Sequence, residues 1–368
     1  MRIALVTEFY YPHLGGITEH VHFLARELNR RGHSTIIITS RMQGAGPDEP
    51  HVQRIGTSRV LYENGSFTRV TTGWGLARRL TELLRAHQPD VVHVQKALEP
   101  TLGLVASSAA WRLGLPVVST FHTYFARALG YEVFRPLLQR RLDRLAARIA
   151  VSEPVVRAMS RYFRAEFEIV PNGVDVELFR PNRCCPSDHA REGPCLLFLG
   201  RLDPRNGLDT MLFAMPRILE RYPAARLIVA GDGPLRRVYE RRGAPLGDRV
   251  RFVGQVTSAR AEHYCAADLY VCPATRASFG ISLLEAMACG TPLLISDIPG
   301  FRELIHGGAE AVLVPQDDPA AWGEATCALL DEPRRRESMG AAGRAKAEGY
   351  AWPLVADRVL GTYARVVR

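Results

Sequence analysis

Two doubly wound α/β domains are the architecture expected of this chain of 368 residues. Three observations lead there. Short apolar runs alternate with stretches of helical periodicity, the pattern of parallel sheets. The runs are rich in Val, Ile and Leu without strict alternation, as befits strands covered on both faces. The series then restarts after a polar stretch with three prolines, FRPNRCCPSDHAREGP, at residues 179–194.

The first series of strands is expected at residues 3–7, 35–39, 91–94, 117–121 and 149–151. The second falls at 195–199, 227–230, 250–253, 269–272, 293–296 and 311–314. Helical stretches separate them, among them 18–31, 76–87, 208–221 and 283–288. In the first of these, Val21, Leu24, Ala25 and Leu28 fall at i, i+3, i+4 and i+7, one stripe of a helix. The domains are placed at residues 1–180 and 181–351. The tail, 352–368, is periodic in Leu354, Val355, Val359, Leu360 and Tyr363. It needs an apolar surface, and the first domain is the expected one. Ligands of such sheets bind outside the carboxyl ends of the strands.

Composition narrows the class. The chain is 47% hydrophobic and 23% charged, which excludes a disordered or collagenous protein. It has no run of about 18 apolar residues, so no membrane-spanning helix is expected. The opening MRIALVTEFYYPHLGG reads as a buried strand and its turn rather than a secretory signal. A cytoplasmic protein is expected. The net charge is +9, and of 47 basic residues only Lys96 and Lys346 are lysine. No basic run with interleaved aromatics and no zinc-finger spacing occurs, so nucleic acid is not the expected partner. Phosphate-bearing substrates or phospholipid fit better. The seven cysteines all lie in the second half without paired C-x-x-C sets. No metal site or disulfide framework is expected. Cys195, Cys265 and Cys272 read as small core residues, and Cys184–Cys185 as an exposed thiol pair.

Chemistry is sought at the strand ends. Gly15 and Gly16 follow the first strand and open a helix, where backbone N–H groups can meet an anion. A plain tight turn is the other reading. Gly200 and Arg201, in LGRLDPRNG, lie just past a strand, where a guanidinium can pair with a diphosphate. A surface arginine is the alternative. The segment SFGISLLEAMACGTP, 278–292, is the most informative. Gly280 permits a close turn, a helix begins near Ile281, and its N–H groups suit a phosphate. Glu285 lies four residues on, on the same face. It is flanked by Leu284, Ala286 and Met287, and a carboxylate in so apolar a helix needs a partner.

These residues carry a resemblance. SFGISLLEAMACGTPLL, GRLDP at 200–204, VAGDGP at 229–234, VPNGVD at 170–175 and Gly15–Gly16 resemble family 4 glycosyltransferases. ENGSFTR at 63–69, STFHT at 119–123 and RIAVSE at 148–153 resemble the phosphatidylinositol mannosyltransferase branch. The resemblance implies the GT-B fold, two Rossmann-like domains facing across a cleft. It implies retaining transfer of a hexose, mannose favoured, from a nucleotide-diphosphate sugar to a lipid-linked or polyol hydroxyl. No metal or other cofactor is required, and a GDP-sugar is favoured over a UDP-sugar. Arg201 and Gly200 would take the diphosphate, Glu285 the ribose hydroxyls, and Ser278, Phe279, Gly280 and Ile281 the donor sugar and phosphates through their backbone. Gly16 would approach the diphosphate from the first domain. His122 would stand near the donor sugar and acceptor, with Arg69 and Tyr10 on the acceptor side.

Two positions depart from the family pattern. Ala277 stands where the family has the first glutamate of its signature, and Asn206 where it has a lysine. The first group normally meets the donor sugar and the second neutralises the diphosphate. A nucleotide-sugar-binding protein that has lost transfer, acting as partner or sensor, is therefore the alternative function, and an unusual donor a third. Membrane association is also expected. Arg78, Arg79 and Arg85 share a helix with Trp74, Leu76, Leu80, Leu83 and Leu84, either as an amphipathic face on anionic lipid or as a core-packed helix with solvated arginines. The arginines of 127–148 extend that surface or line a solvated helix. Lys96 and Glu99, after a strand end, are left without a role.

Overall fold

Runs of Val, Ile and Leu that must lose both faces to water build two mostly parallel sheets. The computed structural model describes residues 1–13, 15–42, 49–63, 66–99, 102–125, 127–181, 193–257, 259–305 and 308–367, with backbone alone for 61–63 and 66–68. The chain divides into two compact units, Met1–Gly173 with Trp352–Arg368, and Val174–Ala351.

The first unit runs β1 (Arg2–Val6), α1 (Gly16–Arg30), β2 (Ser34–Arg41), β3 (Val52–Glu63), β4 (Ser66–Thr72), α2 (Leu76–His87), β5 (Val91–Gln95), α3 (Leu102–Arg112), β6 (Val117–Phe121), α4 (Leu129–Val133), α5 (Arg135–Asp143), β7 (Ala147–Ala150), α6 (Glu153–Ser160) and β8 (Glu168–Ile169). Its sheet has the order β4-β3-β2-β1-β5-β6-β7-β8. Strand order therefore reverses between β1 and β5, the switch point at which such sheets bind ligands. Ile3, Ala4, Leu5 and Val6 of β1 are essentially fully buried, as are Val91, Val92 and Val94 of β5.

The second unit runs β9 (Cys195–Leu199), α7 (Leu208–Arg221), β10 (Arg226–Ala230), α8 (Arg236–Gly243), β11 (Val250–Gly254), α9 (Arg260–Ala266), β12 (Leu269–Cys272), α10 (Ile281–Ala288), β13 (Leu293–Ser296), α11 (Pro299–Arg302), β14 (Ala311–Val314), α12 (Pro319–Asp331) and α13 (Pro333–Glu348). Its sheet order is β11-β10-β9-β12-β13-β14, all parallel, with the switch between β9 and β12. One core joins Leu196, Phe198, Leu227, Val229, Leu269 and Val271 of the sheet to Met211, Met215, Trp322 and Leu329 of the helices above it.

The expected buried strands appear within a residue or two of their places. The antiparallel hairpin β3–β4, paired from Thr57↔Thr72 to Glu63↔Ser66, was not expected. Its strands are long and half-solvated, with Arg59 and Val60 exposed, so no continuous apolar run marks them. Cys195, Cys265 and Cys272 are only half-buried, which corrects their reading as core residues, whereas Cys289 and Cys327 are buried. Cys184 and Cys185 lie outside the described residues.

The last helix, α14 (Trp352–Val366), belongs to the first unit and packs against α1. Its Tyr363 is fully buried, and its hydroxyl meets His93 Nδ1 of β5 at 2.6 Å. The other ring nitrogen meets Thr120 Oγ1 of β6 at 2.7 Å. Burial holds this ring neutral, with its pKa lowered to about 3, so one nitrogen donates and the other accepts. Arg31 reinforces the packing through the Pro353 carbonyl at 2.7 Å and the Asp357 carboxylate. The substitution Tyr363→Phe leaves a buried imidazole nitrogen without its partner. It is expected to cost about 1–3 kcal/mol, read as a lower urea midpoint with an unchanged far-UV spectrum.

Candidate functional site

In the second unit, three loops leave the carboxyl ends of β10, β9 and β12, which are neighbours in the sheet. Backbone hydrogen bonds lock them together. The Leu202 N–H donates to the Asp232 carbonyl at 3.0 Å and the Gly200 N–H to Ala230 at 3.0 Å. The Thr275 N–H donates to the Arg205 carbonyl at 2.8 Å. Glycine is required where they touch. A Cβ on Gly207, at φ +67°, would lie 2.0 Å from the Pro273 carbonyl oxygen, and one on Gly231 1.9 Å from that of Gly200.

This framework carries Gly200 and Arg201 on the loop after β9 and the segment Ser278–Ile281 after β12, the two loops being tied at Arg205 and Thr275. Arg201 is partly exposed, its Nε 4.0 Å from the buried Asp203 carboxylate. Asp203 also caps the turn Pro204–Asn206 by accepting from the Arg205 N–H at 3.0 Å. Asn206 donates through Nδ2 to the Arg201 carbonyl at 2.6 Å, so the residue found in place of a lysine fixes the arginine's own backbone. Gly280, at φ +96°, is the residue from which α10 starts. Phe279 is buried and packs 6.1 Å from the Tyr350 ring. Ser278 and Ile281 remain partly accessible. The backbone of Ala277 is covered, since a Cβ on Gly300 would lie 2.1 Å from its carbonyl oxygen.

Glu285 is 3% exposed, and its need of a partner is met from α9. Arg260 Nη1 lies 3.2 Å from Oε1, and the Tyr264 hydroxyl donates to Oε2 at 3.0 Å. Burial and the neighbouring carboxylate push the Tyr264 hydroxyl well above its ordinary pKa, so it stays a donor. Sequence reasoning did not identify Arg260 or Tyr264. The apolar neighbours of Glu285 signalled that a partner existed, but no spacing said which helix held it.

In the first unit, Gly16 is exposed at the start of α1, one turn before His20. His122 follows β6 and is buried. The Gln95 carbonyl oxygen accepts from His122 Nε2 at 2.5 Å, which makes Nδ1 the ring's acceptor. The His20 ring stands edge-on to that of His122, centroids 4.9 Å apart, and its Nδ1 meets Asn172 Oδ1 at 3.0 Å. Burial lowers the His20 pKa to about 4. Burial, with His20, Lys96 and His93 nearby, holds His122 well below its ordinary value. Two buried nitrogens beside this ring, His20 Nε2 and Gln95 Nε2, have no hydrogen-bond partner among the described residues. Lys96 adopts a left-handed backbone, φ +63°, and pairs with Glu99 at 2.9 Å.

Gly16, His20, Gln95, His122 and Asn172 thus form one cluster around the strand ends. Tyr10 is buried, its hydroxyl 3.2 Å from His22 Nδ1. Arg69 is not brought there. It lies on the edge strand β4, three strand spacings from β1, or about 14 Å across the sheet, and its Nη1 meets Ser58 Oγ at 3.2 Å. His20, Gln95 and Asn172 escaped sequence reasoning. Asn172 lay inside the singled-out VPNGVD motif, but the other two carried no signal beyond their place near strand ends.

Comparison with known proteins joins the two units to one class. Residues 14–178 match the family model described as Glycosyltransferase Family 4, and residues 193–332 match Glycosyl transferases group 1. A phosphatidyl-myo-inositol mannosyltransferase of Mycobacterium tuberculosis is 33% identical over all of this chain and 97% of its own length. A GDP-mannose-dependent alpha-(1-6)-phosphatidylinositol dimannoside mannosyltransferase from the same species is 28% identical over 98% and 96%. Among solved structures, sucrose-phosphate synthase from Thermosynechococcus elongatus superposes with a TM-score of 0.77 at 22% identity, covering 99% of this chain and 98% of that one. Anabaena HepE in complex with UDP-glucose gives 0.77 at 18%, covering 99% of each. The fold is GT-B.

The buried histidines give stability a pH dependence. An unfolded histidine protonates near pH 6.5, whereas folded His20 and His93 resist protonation down to about 4 and about 3. Below pH 6.5 the unfolded chain therefore binds more protons, and stability falls as pH falls. At pH 5 each of the two is expected to contribute up to about 2 kcal/mol of lost stability. Thermal melts at pH 7 and pH 5 measure this. A His20→Gln variant is expected to lose less between the two than the parent.

Proposed function

Since the chain belongs to the glycosyltransferase family that both models describe, and is an enzyme of that class, we propose that it transfers mannose with retention from GDP-mannose to a hydroxyl of a phosphatidylinositol lipid. The observation that carries this reading is the full-length likeness to phosphatidyl-myo-inositol mannosyltransferases. The donor half belongs to the second unit. Arg201 and the N-terminal N–H groups of α10, at Gly280 and Ile281, meet the diphosphate. Ser278 and Phe279 offer backbone groups to the sugar and phosphates, and Glu285 takes the ribose hydroxyl pair.

Charge develops on the leaving diphosphate as the sugar acquires oxocarbenium character. A fixed guanidinium and aligned N–H groups stabilise that charge without reorganising. In the first unit, Gly16 offers N–H groups at the start of α1 to a phosphate. The His122 Nδ1 lone pair and the partnerless nitrogens of His20 and Gln95 suit the hydroxyl-rich face of an inositol or a sugar. Tyr10 is the further acceptor-side residue of this reading. The acceptor is a lipid, so the enzyme works as a peripheral protein at a membrane surface. Among the described residues no helix is long and apolar enough to cross one.

Incubation with labelled GDP-mannose and phosphatidylinositol is expected to yield a mannolipid with retained anomeric configuration. Absence of transfer from every GDP- and UDP-sugar offered would refute the reading. Arg201→Ala is expected to lower kcat/KM by about 10²–10³ with little change in melting temperature. Ala277→Glu supplies the carboxylate that the family directs at the donor sugar and is expected to raise kcat/KM about tenfold. Both are read from initial rates at subsaturating donor.

A further inference from the structure

Four large apolar side chains stand in solvent within nine residues of chain. Leu129, Val133, Phe134 and Leu137 are 63%, 69%, 57% and 56% exposed. Single exposed apolar residues are ordinary, but a cluster of this kind marks a surface that something covers. The face is firmly supported from behind. Leu138 and Leu142 of α5 are buried beneath it. Tyr131 of α4 packs edge-on against Phe125 and Phe163, with ring centroids 5.4 and 5.1 Å away. The Ala128 N–H donates to the Tyr162 hydroxyl at 3.0 Å, and Gln139 Nε2 to the Arg164 carbonyl at 2.9 Å. The apolar groups are displayed by a fixed base.

The charges around them are mostly positive. Residues 127–144 hold five arginines against Glu132 and Asp143. Arg127 is tied to Glu132 at 3.0 Å, and Arg144 lies 4.8 Å over the Trp111 ring. Arg135 and Arg140 are exposed and form no ion pair among the described residues. Apolar groups flanked by unpaired guanidinium groups match the boundary between acyl chains and anionic headgroups. A second copy of the chain fits less well, because a two-fold contact would set this cationic face against itself.

The helix α2 differs. Its Leu80 and Leu84 are buried, and only Trp74, just before it, is a fully exposed large apolar residue. Its arginines are therefore the solvated side of a packed helix. We infer that the α4–α5 face is the surface by which this protein docks on a bilayer containing anionic lipid. The inference rests on the reading of the acceptor as a lipid and adds where the bilayer meets the chain. Leu129 follows His122 by seven residues, which span at most about 25 Å, so docking sets the headgroup layer within that distance of His122.

Co-sedimentation with vesicles tests it, using phosphatidylcholine alone and phosphatidylcholine mixed with phosphatidylglycerol. The parent protein is expected to bind the mixed vesicles more tightly. Phe134→Ser with Leu137→Ser is expected to weaken that binding about tenfold or more. Arg135→Gln with Arg140→Gln is expected to weaken it about fivefold per arginine. Both double variants should keep the parent melting temperature, since the altered side chains are exposed. Unchanged vesicle binding by both, or loss only in Arg78→Gln with Arg79→Gln on α2, overturns the inference. So does an apolar variant that turns a dimer into a monomer while vesicle binding persists. Transfer to phosphatidylinositol in detergent is measured alongside. If binding follows the α4–α5 variants but no lipid is mannosylated, docking stands and the acceptor reading fails.

Discussion

The hydrogen bond from the Thr275 N–H to the Arg205 carbonyl is the constraint on which the second unit's site depends. It joins the loop after β9 to the loop after β12, the two strands on either side of the switch point. One loop carries Arg201, and the other carries Ser278 and the start of α10. Without the bond, the guanidinium and the helix terminus would be set by two independent loops. Gly207 and Gly231 make the closeness possible, because any side chain there would strike a neighbouring carbonyl. Asn206 completes the arrangement from within its own loop by holding the Arg201 carbonyl. That tie gives the residue a structural reason distinct from the cation it replaces.

Buried polar groups in both units obey one accounting. A desolvated charge or dipole is tolerated when its partners are fixed. Glu285 has Arg260 and Tyr264, and His93 has Thr120 and Tyr363. Removing one member leaves the other unpaired at low dielectric, so these pairs preserve geometry as well as energy. The cluster around His122 differs in one respect. Its ring is fixed by Gln95 and flanked by His20, yet two of the surrounding nitrogens have no partner among the described residues. A native interior rarely leaves such groups unused.

Much of the fold was legible because burial on both faces writes a continuous apolar run, and because glycines mark strand ends. The runs around Ile3, Val117, Leu197 and Leu293 announced their strands in this way. The β3–β4 hairpin was not legible, since Arg59 and Val60 face water and no long run forms. At the candidate site, residue type and position pointed to Arg201, Gly280 and Glu285, whereas His122 came from the family resemblance alone. Their partners were hidden, because a contact such as Arg260 with Glu285 depends on how α9 packs on α10 rather than on spacing. The same limit applies to His20 and Asn172, 152 residues apart and yet hydrogen-bonded. The arginines of α4–α5 fit a basic surface and a solvated helix equally well in sequence, and the exposed apolar side chains among them carry no periodic signal of their own.

The return of α14 to the first unit has a consequence for biosynthesis. That unit is interrupted in sequence by the whole of the second, so α14 leaves the ribosome only after the second unit. Until then β5 and β6 lack the tyrosine that caps their buried imidazole, and α1 lacks a packing neighbour. The second unit, continuous in sequence, can mature while the first is still incomplete. Assembly of the first unit is thereby coupled to translation of α14, and a nascent chain arrested before that helix carries an unfinished apolar surface for chaperones to shield.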